Sequence, residues 1–395
     1  SEYEQRAGEV TYGFALRGIE DGHAVAGCSG DAILARAATA PAITPFVELR
    51  SQTTMLRSPA LLLKGLLAAV LLLGVYWLVT QPLVEAQRSQ PPAVDGERLK
   101  AHVRFLSQTA YPRSGDQPAK LAQAAAYIEH EWSQLPCTVE TQTLAGWSPA
   151  YRNLIARFGP ATGPTLVIGA HYDAFGDAAA GQRWPGGYDP TTHTPGADDN
   201  ASGVAGLLEL ARMLAASPPR IAVELVAYTL EEPPYFRGAE MGSLQHARRL
   251  RESGKDVVLM ISLEMIGYFR DEVGSQRYPL PGMQLFYPDR GDFIAVIGRP
   301  QEWSAVRQVK AHLLGASDLP VYSFNAPALV PGIDFSDHRS YWAEGFPALM
   351  ITDTAFFRNP HYHRPGDVAE TLNYERMAKV IQGVFALVQN YDAVR

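Results

Sequence analysis

The sequence contains little cysteine and no excess of positive charge. Cys28 and Cys137 are its only cysteines in 395 residues, so a disulfide-stapled scaffold and a cysteine-rich zinc site are both excluded. Lysine and arginine number 34, against 41 aspartates and glutamates. Because binding to nucleic-acid phosphates needs a basic surface, no nucleic-acid partner is expected.

Charged residues are also scarce, at 19% of the chain, while apolar residues make up 47%. That balance excludes general disorder and permits a sizeable core. The length allows one large domain with extensions. Ten histidines and an ample stock of carboxylates leave open a metal site built from His, Asp and Glu side chains.

One long apolar block lies near the N-terminus. Residues 61–79 read LLLKGLLAAVLLLGVYWLV, with Lys64 as the only charge. We interpret residues 55–86 as a signal peptide or an N-terminal membrane anchor, and a buried core helix is the less favoured alternative. Basic residues precede the block more than they follow it, which favours a cytoplasmic N-terminal side. The rest of the chain is therefore expected to be exported (periplasmic, secreted or membrane-anchored outside the cytoplasm), with this block as its only membrane contact.

Residues 1–54, before the block, show neither helical nor strand periodicity, and signal segments normally begin a chain. We expect Met55 to be the natural start and residues 1–54 to be a non-native or unstructured upstream extension. Residues 87–98 are expected to form a linker, and residues 99–395 a single folded domain.

Beyond residue 94, short apolar runs alternate with helical patterns. The runs TLVIGA at 165–170 and IAVELVAYTL at 221–230 are typical of strands buried on both faces. This alternation predicts an α/β domain with a central, mostly parallel sheet flanked by helices. Predicted strands cover residues 137–144, 153–158, 165–170, 221–230, 257–263, 284–287, 293–297 and 348–352, and predicted helices cover residues 96–108, 120–134, 201–216, 302–314 and 374–389.

Chemically distinctive residues follow the predicted strands, where open α/β sheets place their sites. His171 and Asp173 come directly after residues 165–170 and share one face of an extended chain. Asp173 can accept a hydrogen bond from one ring nitrogen of His171 while the other nitrogen binds a metal. A His-x-Asp pair on its own is more often structural or incidental than functional.

A second motif, GADDNASG at 196–203, enters the helix predicted from residue 201. Asp and Asn are favoured N-caps of helices, but capping uses one polar residue and leaves a spare carboxylate. The glycines permit a tight turn. Asp198 is the residue whose carboxylate we expect to bridge two cations.

Two adjacent acidic residues, Glu231 and Glu232, follow the strand predicted at 221–230. Paired carboxylates at a buried strand end are costly unless metal or proton chemistry compensates for them, and an exposed acidic turn is the alternative. Because neighbours cannot occupy the same point, one can bind a metal while the other holds a water. That division suits metal-assisted hydrolysis with a carboxylate general base.

The last candidates lie nearer the C-terminus. Glu264 stands alone in an apolar run, where it needs a partner or a metal. His361 and His363 face the same way if the segment NPHYHRPGD is extended, so spacing alone does not choose between them. Nitrogen and oxygen ligands without thiolates suit a catalytic zinc site with open positions.

The ordered motifs HYD, GADDNASG, LEE, LEMIGY and YHRPGD resemble those of the cocatalytic two-zinc exopeptidases. That family is typified by bacterial secreted leucyl aminopeptidases and is related to glutamate carboxypeptidase II and the glutaminyl cyclases. The resemblance extends from about residue 99 to the C-terminus. It implies a single zinc-exopeptidase domain with an eight-stranded mixed sheet and two Zn²⁺ per chain, in which a metal-bound hydroxide hydrolyses N-terminal residues from peptide substrates.

Position by position, the resemblance implies a ligand set and two supporting residues. Glu231 matches the general base, and Asp173 matches the residue that orients the first histidine. Asp199 stands where the family has a strained peptide. Glu264 departs from the typical secreted aminopeptidases, which have Asp there. The implied metal ligands are His171, Asp198 as the bridge, Glu232, Glu264 and His363.

Three other functions stay open. A glutaminyl cyclase-like acyltransferase would use the same fold with one zinc, but the complete ligand set argues against it. A non-catalytic binding relative would be expected to lose Glu231 or a ligand, and none is missing. Hydrolysis of a non-peptide amide fits the same motifs. The insertion at 175–195 is expected to rim the pocket and act as a lid.

Overall fold

The computed structural model describes residues 59–144, 146–176 and 192–391. The upstream extension predicted for residues 1–54, the start predicted at Met55 and most of the lid predicted at 175–195 lie outside the described residues. From Pro59 onward the chain forms one unit.

Within the described ranges, eight strands form one mixed sheet, as predicted. They are β1 (Thr138–Thr143), β2 (Arg152–Phe158), β3 (Thr165–His171), β4 (Ala222–Tyr228), β5 (Val257–Glu264), β6 (Ile294–Gly298), β7 (Val321–Asn325) and β8 (Ala348–Thr352). Their order across the sheet is β1-β2-β4-β3-β5-β8-β6-β7. The pairs β3–β4, β3–β5, β5–β8 and β6–β7 are parallel, and the other three neighbouring pairs are antiparallel.

Helices cover both faces of this sheet, except for the first of them, α1, whose side chains are mostly exposed. They are α1 (Pro59–Thr80), α2 (Gly96–Arg104), α3 (Pro118–Ser133), α4 (Gly203–Ala216), α5 (Gly242–Glu252), α6 (Trp303–Ala316), α7 (His338–Ala343) and α8 (Tyr374–Gln389). Successive residues of β3 point to opposite faces: Ile168 packs in the larger core with α2, α3, α4, α6 and α8, whereas Val167 packs with α5 and α7. Every residue of β3 and β4 is buried, which explains their continuous apolar runs.

The strand predicted at 284–287 is wrong. Residues Met283–Leu285 form a single 3₁₀ turn that follows Gly282, whose φ is 86°. The apolar residues there do not share one face, because Met283 and Tyr287 are buried while Leu285 and Phe286 are exposed. The edge strand of this half of the sheet is instead β7, which was not predicted.

Among the described helices, α1 is the one long and apolar enough to cross a membrane. Its apolar side chains are exposed along almost their whole length, which contradicts the alternative of a buried core helix. Length and composition of this kind are shared by membrane anchors and signal sequences.

Candidate metal centre

The three central strands bring the predicted site residues to one edge of the sheet. β4, β3 and β5 are parallel neighbours, so their carboxyl ends meet at the same edge. His171 ends β3, Glu264 ends β5, and the pair Glu231–Glu232 comes just after β4. The turn Ala197–Ser202, which leads into α4, and the loop after β8 add the remaining side chains.

His171 faces three carboxylates. Its Nε2 atom lies 3.4 Å from Asp199 Oδ1, 3.4 Å from Glu264 Oε2 and 3.9 Å from Glu231 Oε2. Its Nδ1 atom lies 3.2 Å from the carbonyl oxygen of Asp173 and 3.5 Å from that residue's Oδ1. Asp173 is therefore placed to orient the ring so that Nε2 points into the site.

His363 faces the other side of the same carboxylate. Its Nε2 atom lies 3.3 Å from Asp199 Oδ2 and 3.1 Å from Glu232 Oε2. Of the two histidines that spacing left open, His363 rather than His361 is thus the one that contacts the carboxylates. Asp199 spans the two halves of the site, with one oxygen directed to each histidine.

The carboxylate of Asp198, the predicted bridge, does not face the two histidines in the structure. That carboxylate accepts hydrogen bonds from the backbone N–H of Gly267, at 3.0 Å, and from Asn359 Nδ2, at 3.1 Å, and these partners hold it away from both histidines. Asp199 has a non-helical backbone, with φ −101° and ψ 91°, so the adjacent side chains leave the turn in different directions. The peptide bond between Asp199 and Asn200 is cis.

Glu264 is held in place by a pair of serine hydroxyls. Ser336 Oγ donates a hydrogen bond to Glu264 Oε2 at 2.7 Å, and lies 2.7 Å from Ser262 Oγ. The Glu264 carboxylate therefore accepts from Ser336 and also lies 3.4 Å from His171 Nε2.

Two buried residues to which the sequence assigned no role support the turn that carries Asp199. Asp367 accepts hydrogen bonds from the backbone N–H groups of Asp198 and Asp199, at 2.9 and 3.0 Å. Arg113 donates to the carbonyl oxygens of Tyr172, at 2.8 Å, and Gly196, at 2.6 Å. Asp367 stands in the YHRPGD motif and could have been suspected, whereas Arg113 lies far upstream with no recognisable spacing.

Three residues beside the site have left-handed backbone conformations without being glycine. The φ angles are 58° at Leu230, 47° at Met265 and 54° at His363. Such conformations cost energy for a residue with a Cβ atom, and they concentrate at functional sites. His363 itself faces the site, whereas Leu230 precedes Glu231 and Met265 follows Glu264, two residues that face it.

Burial and crowded charge shift the pKa values here. Burial raises the pKa of Glu231 well above its ordinary value, and the neighbouring carboxylates of Glu264 and Glu232 add to this against the opposing effect of His171. Burial and Asp199 raise the pKa of Glu232 to about 7. Burial would lower the pKa of His363, but Glu232 and Asp199 outweigh it and raise that pKa to about 9. The site therefore favours bound positive charge.

The residues present fit zinc. His171 Nε2, Asp199 Oδ2 and Glu232 Oε1 are buried and have no hydrogen-bond partner among the described residues, a costly state for polar atoms unless a ligand satisfies them. One ligand atom from each of these three residues lies within 4.8 Å of the others. Imidazole nitrogens and carboxylate oxygens with no thiolate are the donors of catalytic zinc sites.

A pocket with a mainly apolar lining opens beside the centre. Its lining includes Glu264 and also Tyr362, whose ring stacks on His363 at a centroid distance of 3.8 Å. The rest of the lining is dominated by aromatic and aliphatic side chains, among them Tyr278, Met283, Tyr287, Phe293, Phe324 and Phe356. An apolar group that enters this cavity would lie next to the metal ligands.

Comparison with known proteins agrees with this geometry. The model of peptidase family M28 matches residues 153–388. An Escherichia coli (strain K12) protein described as uncharacterized, YfbL, is 50% identical over 332 residues, which are 83% of this chain and 99% of that protein.

More distant similarities connect the chain to named enzymes. Leucine aminopeptidase 1 of Grosmannia clavigera is 24% identical over 243 residues, 60% of this chain. The match spans about half of that enzyme's length, 52%. The crystal structure of the Legionella pneumophila LapA aminopeptidase superposes with a TM-score of 0.58 at 19% identity, covering 76% of this chain and 73% of that one, and it confirms the fold.

Proposed function

Since this chain belongs to peptidase family M28, whose zinc-dependent exopeptidases share its fold, we propose that it is an aminopeptidase that removes N-terminal residues from peptides. One observation carries the proposal. The carboxylate of Asp199 lies between His171 and His363 with one oxygen directed to each, the arrangement that a pair of metal ions with a shared ligand requires.

We assign the ligands in two groups that share Asp199. His171 and Glu264 would hold one zinc ion, and Glu232 and His363 would hold the other. Zinc ions bound here would polarise the scissile carbonyl and lower the pKa of the attacking water. The outer residues Asp173 and Ser336 would fix the orientation of His171 and Glu264.

Glu231 is the residue we assign as general base. Its carboxylate lies 3.9 Å from His171 Nε2, further than the carboxylates of Asp199 and Glu264, so it stands beside the ligands without belonging to either group. From there it can take the proton of the attacking water and return it to the leaving amine. Adjacent Glu232 faces His363 instead, which separates proton transfer from metal binding.

The apolar cavity supports a preference for N-terminal residues with large apolar side chains. Its wall begins at Glu264 and Tyr362, so a side chain that enters it would place the neighbouring peptide bond at the metal ligands. The α1 helix supports export, and we propose that it anchors the domain on the outer side of the membrane.

The test is a substrate panel on the purified, zinc-loaded full chain. We expect release of the N-terminal residue from leucyl and phenylalanyl peptides, and no reaction when the α-amino group is acetylated. Cleavage of the acetylated peptides from their free C-terminus would replace the proposal with a carboxypeptidase. Loss of ammonia from an N-terminal glutamine without hydrolysis would indicate a cyclase, and inactivity at full zinc occupancy would indicate a binding protein.

A further inference from the structure

The end of α1 is fixed to the catalytic domain by buried polar contacts. Gln81 Nε2 donates to the carbonyl oxygen of Trp303 and to Asn325 Oδ1, both at 3.0 Å. Lys310 Nζ donates to the carbonyl oxygens of Thr80 and Gln81, at 3.2 and 2.9 Å. The side chains of Gln81, Lys310 and Asn325 are buried, and each such hydrogen bond stabilises the join by about 1 kcal/mol.

The chain that follows α1 stays on the domain instead of forming a free tether. The backbone N–H of Gln87 donates to Ala311 at 2.9 Å, and that of Ser89 donates to Gly315 at 3.1 Å. Residues 87–98, predicted as a linker, therefore begin against α6. The position of α1 relative to β7 and α6 is set by direct contact.

Aromatic side chains extend this contact along the last turns of α1. The ring of Tyr76 lies 5.1 Å from that of Phe286, and the ring of Trp77 lies 5.1 Å from that of Trp303. Tyr and Trp at the end of a membrane span occupy the interface between lipid and water. If α1 spans the membrane, Phe286 lies at the depth of Tyr76.

The 3₁₀ turn that carries Phe286 exposes a second large apolar side chain. Leu285 is 79% exposed and Phe286 is 54% exposed. The turn is well anchored, because Met283 and Tyr287 on either side of this pair are buried and Tyr287 Oη donates to the carbonyl oxygen of Ser323 at 2.8 Å. The turn that carries the two exposed side chains is therefore held firmly against the rest of the domain.

We propose that Leu285 and Phe286 insert into the interfacial region of the phospholipid bilayer that α1 spans, so that the domain rests directly on the membrane. This inference depends on the proposal that α1 is retained as an anchor. The bilayer is favoured over a protein partner because the patch is continuous with the span. A stable protein interface also needs about 800 Å² per partner, far more than two side chains supply.

The experiment uses the full chain, with Cys28 and Cys137 changed to serine, in phospholipid vesicles. A single cysteine for an environment-sensitive fluorophore is placed at Leu285→Cys, and quenching by lipids that carry a quencher near the headgroup is measured. The matched control is Thr141→Cys, exposed on β1, which lies seven strand spacings of about 4.8 Å from β7. A third variant, Leu67→Cys, reports whether α1 itself is in lipid.

We expect the fluorophores at residues 285 and 67 to be quenched and the one at residue 141 to be unaffected. Quenching at residue 67 alone would overturn the membrane contact and leave the anchor in place. Quenching at none of the three would overturn both. Hydrolysis of a soluble peptide by each labelled variant shows that it is folded, and it tests the proposed peptidase activity separately.

Discussion

At the scale of single residues, the two adjacent glutamates test the proposed division between proton transfer and metal binding. We expect Glu231→Gln to keep the zinc content of the wild type while kcat falls by about 10²–10⁴, because the amide is nearly isosteric but does not accept a proton. Glu232→Gln should instead lose zinc affinity, with activity partly recovered in excess zinc. Metal analysis alongside steady-state kinetics checks both. A near wild-type kcat in Glu231→Gln would remove the base assignment.

The neighbouring aspartates give a second matched pair. Asp199 faces both histidines, whereas Asp198 is bonded to Gly267 and Asn359. Asp199→Asn should therefore lose zinc, and Asp198→Asn should retain it, because an amide oxygen can still accept the hydrogen bond from Gly267. Zinc content after dialysis distinguishes them. Equal losses in the two variants would show that the bridge is not at Asp199.

This pair also marks the limit of what the sequence predicts about the site. The HYD, LEE and LEMIGY motifs lie at or just after the ends of neighbouring parallel strands, so the sheet itself brings their side chains to one edge. Asp198 and Asp199 have identical chemistry and consecutive positions. Which of the two faces the histidines depends on the φ and ψ angles of the turn and on the hydrogen bonds that Asp367 and Arg113 make to it. No local sequence pattern predicts these.

At the scale of elements, Glu209 joins two helices. Buried on α4, it accepts from Arg98 Nε of α2 at 2.8 Å and from Arg212 Nε at 2.9 Å. Burial raises its pKa, but hydrogen bonds from His102, Arg98 and Arg212 outweigh this and lower the pKa to about 2. Because the folded-state pKa lies below the unfolded value, the contribution of Glu209 to stability is present above about pH 4.5. It is lost as the pH falls towards 2.

The corresponding variant is Glu209→Gln. We expect it to lower the free energy of unfolding by about 2 kcal/mol at neutral pH, and the difference from the wild type to shrink below pH 4.5. Denaturant unfolding of both proteins in a chelator, over a series of pH values, measures this difference without a contribution from zinc. A difference that stayed constant with pH would show that the charge of Glu209 is not what joins the helices.

Elements were predictable where burial is uniform. β3 and β4 are buried at every position and read as continuous apolar runs. β7, with the sequence VYSFN, escaped prediction because Ser323 and Asn325 are polar, and both bond to the end of α1. The strand wrongly predicted at 284–287 has a different cause. Leu285 and Phe286 are apolar but exposed, so the segment reads like a buried strand although it is not one.

At the scale of the whole molecule, the direction of α1 predicts where the catalytic domain lies. Positive charge before the apolar block favours a cytoplasmic N-terminal side, so protease added to intact spheroplasts should digest the domain. The check is immunoblotting of the domain before and after lysis, with a cytoplasmic protein as control. Protection of the domain until lysis would contradict export.

With α1 retained as the proposed anchor, the buried join at Gln81 would also fix the height of the site above the membrane. A flexible linker lets an attached domain sample many distances from the membrane. A helix end that is fixed against α6 and β7 allows only one such distance. Peptides held in the same bilayer would meet the enzyme by lateral diffusion, and their free ends would need enough reach to arrive at the zinc ligands. Substrate choice in the membrane would then depend on the length of chain that projects from the surface, as well as on the side chain that enters the cavity.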